Sequence, residues 1–127
     1  MIGVAIKEII VNDATLAALV GDKVYPVVFP SNPDFPCITY RVISGYHAPV
    51  RDEEVLESRV QLDVWTYEYL DTQEIASALE SLFWRYDGTS YSTYIHDIKV
   101  DLTFDTFEQN IKAHRAVVDL RVTHEGT

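Results

Sequence analysis

Between Ile2 and Val20 the apolar positions Ile2, Ile6, Ile9, Ile10, Leu16, Leu19 and Val20 recur mostly at three- and four-residue spacing. That periodicity predicts a helix with one buried face. Asn12 and Asp13 interrupt it, and short polar side chains can accept from the free N–H groups at a helix start, so a break near residue 12 with a capped second piece is expected. Gly21 ends the segment, because glycine tolerates the left-handed conformation in which helices terminate.

The following stretch, Val24-Tyr25-Pro26-Val27-Val28-Phe29, is β-prone but carries a proline that cannot donate to a ladder. It predicts a short edge strand or an extended arm. A stiff loop from Pro30 to Pro36 leads to the run Cys37 to Ser44 (CITYRVIS), whose β-branched and aromatic residues between Pro36 and Gly45 mark a strand. Gly45 to Ser58 (GYHAPVRDEEVLES) shows neither period and is expected to be the longest irregular loop; such loops in compact domains are commonly functional.

Arg59 to Tyr67 alternates, with Val60, Leu62 and Val64 on one face and Arg59, Gln61 and Asp63 on the other, as a half-buried strand does. Asp71-Thr72-Gln73-Glu74 then has the form of a capping box with Asp71 in the capping place. Ile75, Ala76, Leu79, Leu82, Phe83 and Tyr86 follow on one helical face as far as Asp87-Gly88. Two strands close the chain. One runs around Tyr94 to Phe104 with Ile98, Val100, Leu102 and Phe104 inward; the other runs from His114 to Thr123 with Ala116, Val118, Leu120 and Val122 inward. Asp97, Lys99, Asp101, Thr103 and Asp105, then Arg115, Val117, Asp119 and Arg121, form a mostly polar opposite face. The order α-β-β-β-α-β-β predicts an α+β fold: an antiparallel sheet of four to five strands with two helices packed on one face.

Composition narrows the function more than the fold. A chain of 127 residues, 47% hydrophobic and 24% charged, matches one globular domain spanning 1–127 that folds without a metal. Ten Lys and Arg against twenty Asp and Glu give a net charge of −10, the wrong sign for a partner held by phosphate neutralisation. No apolar run approaches the roughly 20 residues of a membrane span, and the start of the chain lacks the basic residues of a secretion signal. Synthesis in the cytoplasm, with no membrane partner, is the expectation.

Candidate chemistry is sparse. The five glycines stand singly, so no phosphate-cradling loop forms, and no Gly-x-Ser-x-Gly turn presents a nucleophile. Cys37, at a strand start, reads as a small buried hydrophobe. His47, His96, His114 and His124 lie in separate segments without metal-ligand spacing and read as surface residues. Asp52, Glu53 and Glu54 form a solvated cluster rather than an acid–base pair. These residues predict no catalysis and no cofactor. Trp65 and Trp84, on the polar sides of their elements, are candidate interface anchors, the alternative being burial within their own subunit.

Leu19-Val20-Gly21-Asp22-Lys23-Val24-Tyr25-Pro26, the proline-rich loop into Pro36-Cys37-Ile38-Thr39-Tyr40, and Arg59-Val60-Gln61-Leu62-Asp63-Val64-Trp65 with the helix after it resemble the small tail-completion proteins of long-tailed bacteriophages. The resemblance covers residues 10 to 86. It implies a subunit of a ring, usually hexameric, that caps the tail tube and joins it to the head connector at the tail–head junction, with DNA passing through unbound. It implies no catalytic residue. The residues leave open two alternatives: a head-side neck protein, or a cytoplasmic binding module. Tyr46, His47, Val50, Val55 and Leu56, in the segment expected to reach a neighbour, join Trp65 and Trp84 as candidate assembly contacts.

Overall fold

The computed structural model describes residues 1–47 and 55–125; Val50 lies outside them. The elements are α1 (Ile2–Val11), α2 (Ala14–Val20), β1 (Val24–Pro26), β2 (Cys37–His47), β3 (Val55–Thr66), α3 (Tyr69–Phe83), β4 (Gly88–Ser90), β5 (Thr93–Glu108) and β6 (Ala113–Glu125). The α+β class is as expected, but the described residues hold three helices and one six-stranded sheet, ordered β1-β2-β3-β6-β5-β4. All its pairings are antiparallel except β1 with β2, which is parallel.

The break near residue 12 separates α1 from α2. Asn12 closes α1, and the Asp13 carboxylate accepts from the Leu16 N–H at 3.0 Å, a contact that contributes about 1 kcal/mol. The expected capping box at Asp71 is not the start of α3. That helix begins three residues earlier, with Glu68 in the capping place and no side-chain cap. Its first turn is instead tied to the end of β3: the Thr66 hydroxyl donates to the Glu68 carbonyl at 2.7 Å and accepts from the Thr72 hydroxyl, which also lies within reach of that carbonyl. Tertiary contact does here what a local cap does elsewhere.

All three helices pack on one face of the sheet. Ile6, Ile10, Leu16 and Val20 from the first pair, and Ile75, Leu79 and Phe83 from α3, close over Ile38, Val60, Leu62, Val64, Ile95, Ile98, Val118, Leu120 and Val122 in one continuous core. The alternations read from β3 and β6 therefore hold. Gly3 permits the close approach of α1, since a Cβ there would lie 3.3 Å from the Tyr40 ring.

Two expectations fail for one reason, a change of register. In β5 the pairing with β6 shifts between Leu102 and Phe104, and one inserted residue moves every later side chain to the other face. Phe104 pairs with Val117 and stands on the face away from the helices, 54% exposed, not inward. In β2 a similar shift falls between Val42 and Ser44. It hides the alternation beyond residue 44, where no loop begins: Gly45, Tyr46 and His47 pair with Ser58, Glu57 and Leu56, so the two ends of the expected 45–58 loop are strand.

Leu62 sits on β3 between β2 and β6 and is fully buried. Leu62→Ala should cost about 2–5 kcal/mol, read as a lower denaturant midpoint with unchanged slope.

Candidate assembly surfaces

The sheet face opposite the helices differs from the plain polar face read from the sequence. The chain from Phe29 to Phe35 folds across its lower corner, where Phe35, Cys37 and Ala113 are buried and Tyr25, Phe29 and Trp65 pack around them. Trp65 is therefore held within its own subunit. Its ring meets Phe29 edge-on at 5.2 Å, and its indole N–H donates to Thr39 Oγ1 at 3.1 Å. Sequence alone could not show this, because Phe29, Thr39 and Arg115 reach Trp65 only through the fold.

Arg115 is the centre of this face. Its guanidinium lies 5.3 Å from the Trp65 ring and 5.9 Å from the Phe104 ring, and bonds Asp63 at 3.1 Å and Glu108 at 3.3 Å. The planar cation can stack and form both ion pairs at once, which an ammonium cannot match. Further up the face Arg59 meets Asp119 at 2.8 Å and Arg121 meets Asp101 at 3.4 Å. Val117 and Asp119 are buried beneath these long side chains, whose stems cover the sheet. An open hollow of about 420 Å³ beside the stack is lined by Phe29, Thr39, Arg41, Asp63, Trp65 and Arg115, among others.

Trp84 closes α3 and is 54% exposed. It borders a second hollow of about 370 Å³ with Glu80, Val100 and Asp101, placing it beside β5. Tyr46 and His47 lie at the end of β2, opposite Glu57 and Leu56. Val55 and Leu56 begin β3 and are half-buried. The candidates are thus separated: Trp84 at the β5 side, the hairpin residues at the far end of β2 and β3, and Trp65 inside the lower corner.

His124 corrects the reading of four surface histidines. It is 4% exposed, and its Nε2 lies 2.8 Å from the hydroxyl of Ser58, itself 3% exposed. Nδ1 faces the Glu125 carbonyl at 2.8 Å, so Nδ1 donates and Nε2 accepts from Ser58 in the neutral ring. Burial is the main cause that pushes the His124 pKa below its ordinary 6.5. The pair has the atoms of a nucleophile and base, but at this depth no substrate reaches the hydroxyl. Cys37 is likewise inert, its thiol pushed up to about 12 chiefly by burial. Among the described residues no three His, Cys, Asp or Glu side chains group to hold a metal, and no helix is long and apolar enough to cross a membrane.

Exposed Val27, Val28, Val42, Ile43, Tyr67, Tyr69, Leu70, Trp84, Phe104 and Phe107 ring a sheet whose polar side chains are largely paired with one another. Exposed apolar groups of this kind are available for contacts with other chains. The chain belongs to the tail completion protein gp17 family, whose model matches residues 4–125, and is a bacteriophage structural protein. The match extends the resemblance from residues 10 to 86 through both C-terminal strands. A chain from the virion of a native gene transfer agent particle shares the fold, with a TM-score of 0.71 and 19% sequence identity over 96% of this chain and 92% of that one. No curated protein matches the sequence.

Arg115→Ala should destabilise by about 2–3 kcal/mol. That is somewhat below the 3–5 kcal/mol of a fully buried pair, because the Arg115 side chain keeps 24% exposure. Arg115→Lys should recover only part of the loss in the same denaturation experiment. For His124 the native pKa lies below the unfolded one, so the unfolded chain takes up the proton first. Stability is then full above pH 6.5 and falls as pH drops from there through the native value. His124→Gln should flatten that part of the stability–pH curve, measured by thermal unfolding from pH 7.5 to 4.5.

Proposed function

We propose that this protein is the subunit of a ring, hexameric as the resemblance implies, that seats on the end of the phage tail tube and joins the tail to the head connector. The match of the tail completion family over residues 4–125 carries this reading. The likeness in fold to a chain of a gene transfer agent virion supports it.

The distribution of charge suits a subunit beside passing DNA. Residues 1–22 and 68–87, which hold the helices, contain eight carboxylates and two cations, so this layer repels a phosphate backbone rather than gripping it. Cations are instead spent on the opposite sheet face, where Arg59, Arg115 and Arg121 are each paired with a carboxylate. Tyr46, His47, Val50, Val55, Leu56 and Trp84 are the proposed contacts with neighbours, while Trp65 acts through the corner it packs.

Light scattering of the purified protein, with and without tail tubes lacking this component, tests the reading. Tubes should recruit several copies each, and heads added afterwards should join only to tubes so capped. A protein that never assembles on tubes at any concentration, and whose omission leaves head joining intact, would sink the proposal.

A further inference from the structure

Among the described residues the two sides of the sheet are only half covered, at diagonally opposite corners. On one side β1 pairs with Ile38, Thr39 and Tyr40 of β2 and no further, leaving Val42 to His47 as an edge strand. On the other side β4 pairs with Thr93, Tyr94 and Ile95 of β5, and beyond the bond from the Arg85 N–H to the Ile98 carbonyl the stretch from Lys99 to Glu108 is the edge. The direction of the free groups follows from alternation. Ile38 donates to Lys23 and Tyr40 accepts from Val27 on the β1 side, so Val42 turns its N–H and C=O outward too. From Ile98, the same alternation carried through the shift of register turns the N–H of Asp105 outward.

Resting on the ring reading above, we propose that these two edges are the subunit contact: β2 of one copy adds as a strand to β5 of the next. Closed rings of more than two subunits need two different, complementary patches on each copy, and the two half-open edges are such a pair. Three reversals separate β2 from β5 in the sheet order, so the joint between copies of like orientation is antiparallel, as its neighbours in the sheet are. The diagonal offset is taken up by strand tilt, as shear is in a closed barrel. Each open edge is about 20 Å or longer at ~3.3 Å per residue, enough for a full ladder.

The side chains agree. Exposed Val42 and Ile43 stand on one edge and exposed Trp84, Phe104 and Phe107 along the other, with the Trp84 hollow against Val100 placed to receive an aliphatic side chain. The β2 edge carries the cation Arg41. On the β5 side Asp97, Asp101 and Glu108 are already paired with Arg85, Arg121 and Arg115, which leaves Glu80 and Asp105 beside Lys99. Edges not meant to pair are commonly shortened or blocked; here β1 and β4 cover only the halves that the joint does not use.

Val42→Pro removes an outward N–H from one edge and Asp105→Pro removes one from the other, and neither N–H belongs to the ladder inside the subunit. Each variant alone should fail to form multimers on tail tubes. Mixed one to one, they should stop at a dimer, since each keeps one intact edge. Should a proline variant not fold, a chain with both Val42→Cys and Asp105→Cys should give a ladder of covalent multimers on tubes with a bismaleimide. Either cysteine alone should give none, because Cys37 is buried. Rings from both proline variants, or a dimer from Val42→Cys alone, would overturn the edge contact while leaving the ring reading standing. A wild-type chain that never multimerises on tubes would overturn both.

Discussion

Twelve consecutive residue pairs between β3 and β6, from Val55 with Glu125 to Thr66 with His114, fix the register on which every other surface depends. One face of this pair, Val60, Leu62 and Val64 beside Ala116, Val118, Leu120 and Val122, is buried by the helices. A slip of one residue would carry all of these into the opposite face, and would put Arg59, Asp63, Arg115 and Asp119 into the core. The cost of burying such charges without partners makes the register unique. Because it is unique, Trp65 and Arg115 come to face each other, and the ion-paired lattice of the outer face follows.

Where the helices cover the sheet, the sequence reveals it: β3, β6 and the helical faces are legible because one-sided burial imposes a period. Where cover ends, the period fades. At the far end of β2 and the start of β3 the shift of register between Val42 and Ser44 and the uniformly half-buried Val55, Leu56 and Glu57 leave no alternation to read, although Gly45 to His47 pair with Leu56 to Ser58 as strand. Alternation places Phe104 inward because it cannot register the residue inserted between Leu102 and Phe104. β4 is three residues long, too short to show a pattern, whereas the equally short β1 is legible from its β-prone run broken by Pro26 and lies at the edge of the sheet as expected. The start of α3 is hidden because hydroxyls from β3 and the helix itself, rather than a local box, hold its first turn.

The candidate contacts divide along the same line. Trp65 and Trp84 look alike in sequence, each a large aromatic on a polar side. Trp65 lies over the sheet, where a loop and an arginine from another strand can close on it; Trp84 lies past the end of a helix at the sheet's margin, where the described residues leave it 54% exposed. The distinction depends on topology, and no property of the residues next to either tryptophan carries it.

Open edge strands create a tension between assembly and aggregation. A long flat edge that must pair with a neighbour also pairs with anything else that is extended. In this chain both open edges contain a shift of register, at Val42 to Ser44 and at Leu102 to Phe104, and a bulge twists an edge away from indiscriminate pairing. Charges at Arg41, Lys99 and Asp105 add desolvation and like-charge costs against a wrong register. An edge so modified pairs well only with a partner whose twist and charge match it. In the proposed ring the same features that guard a free edge against indiscriminate pairing would select a second copy held in the correct tilt, the geometry that a tube end of matching symmetry would supply.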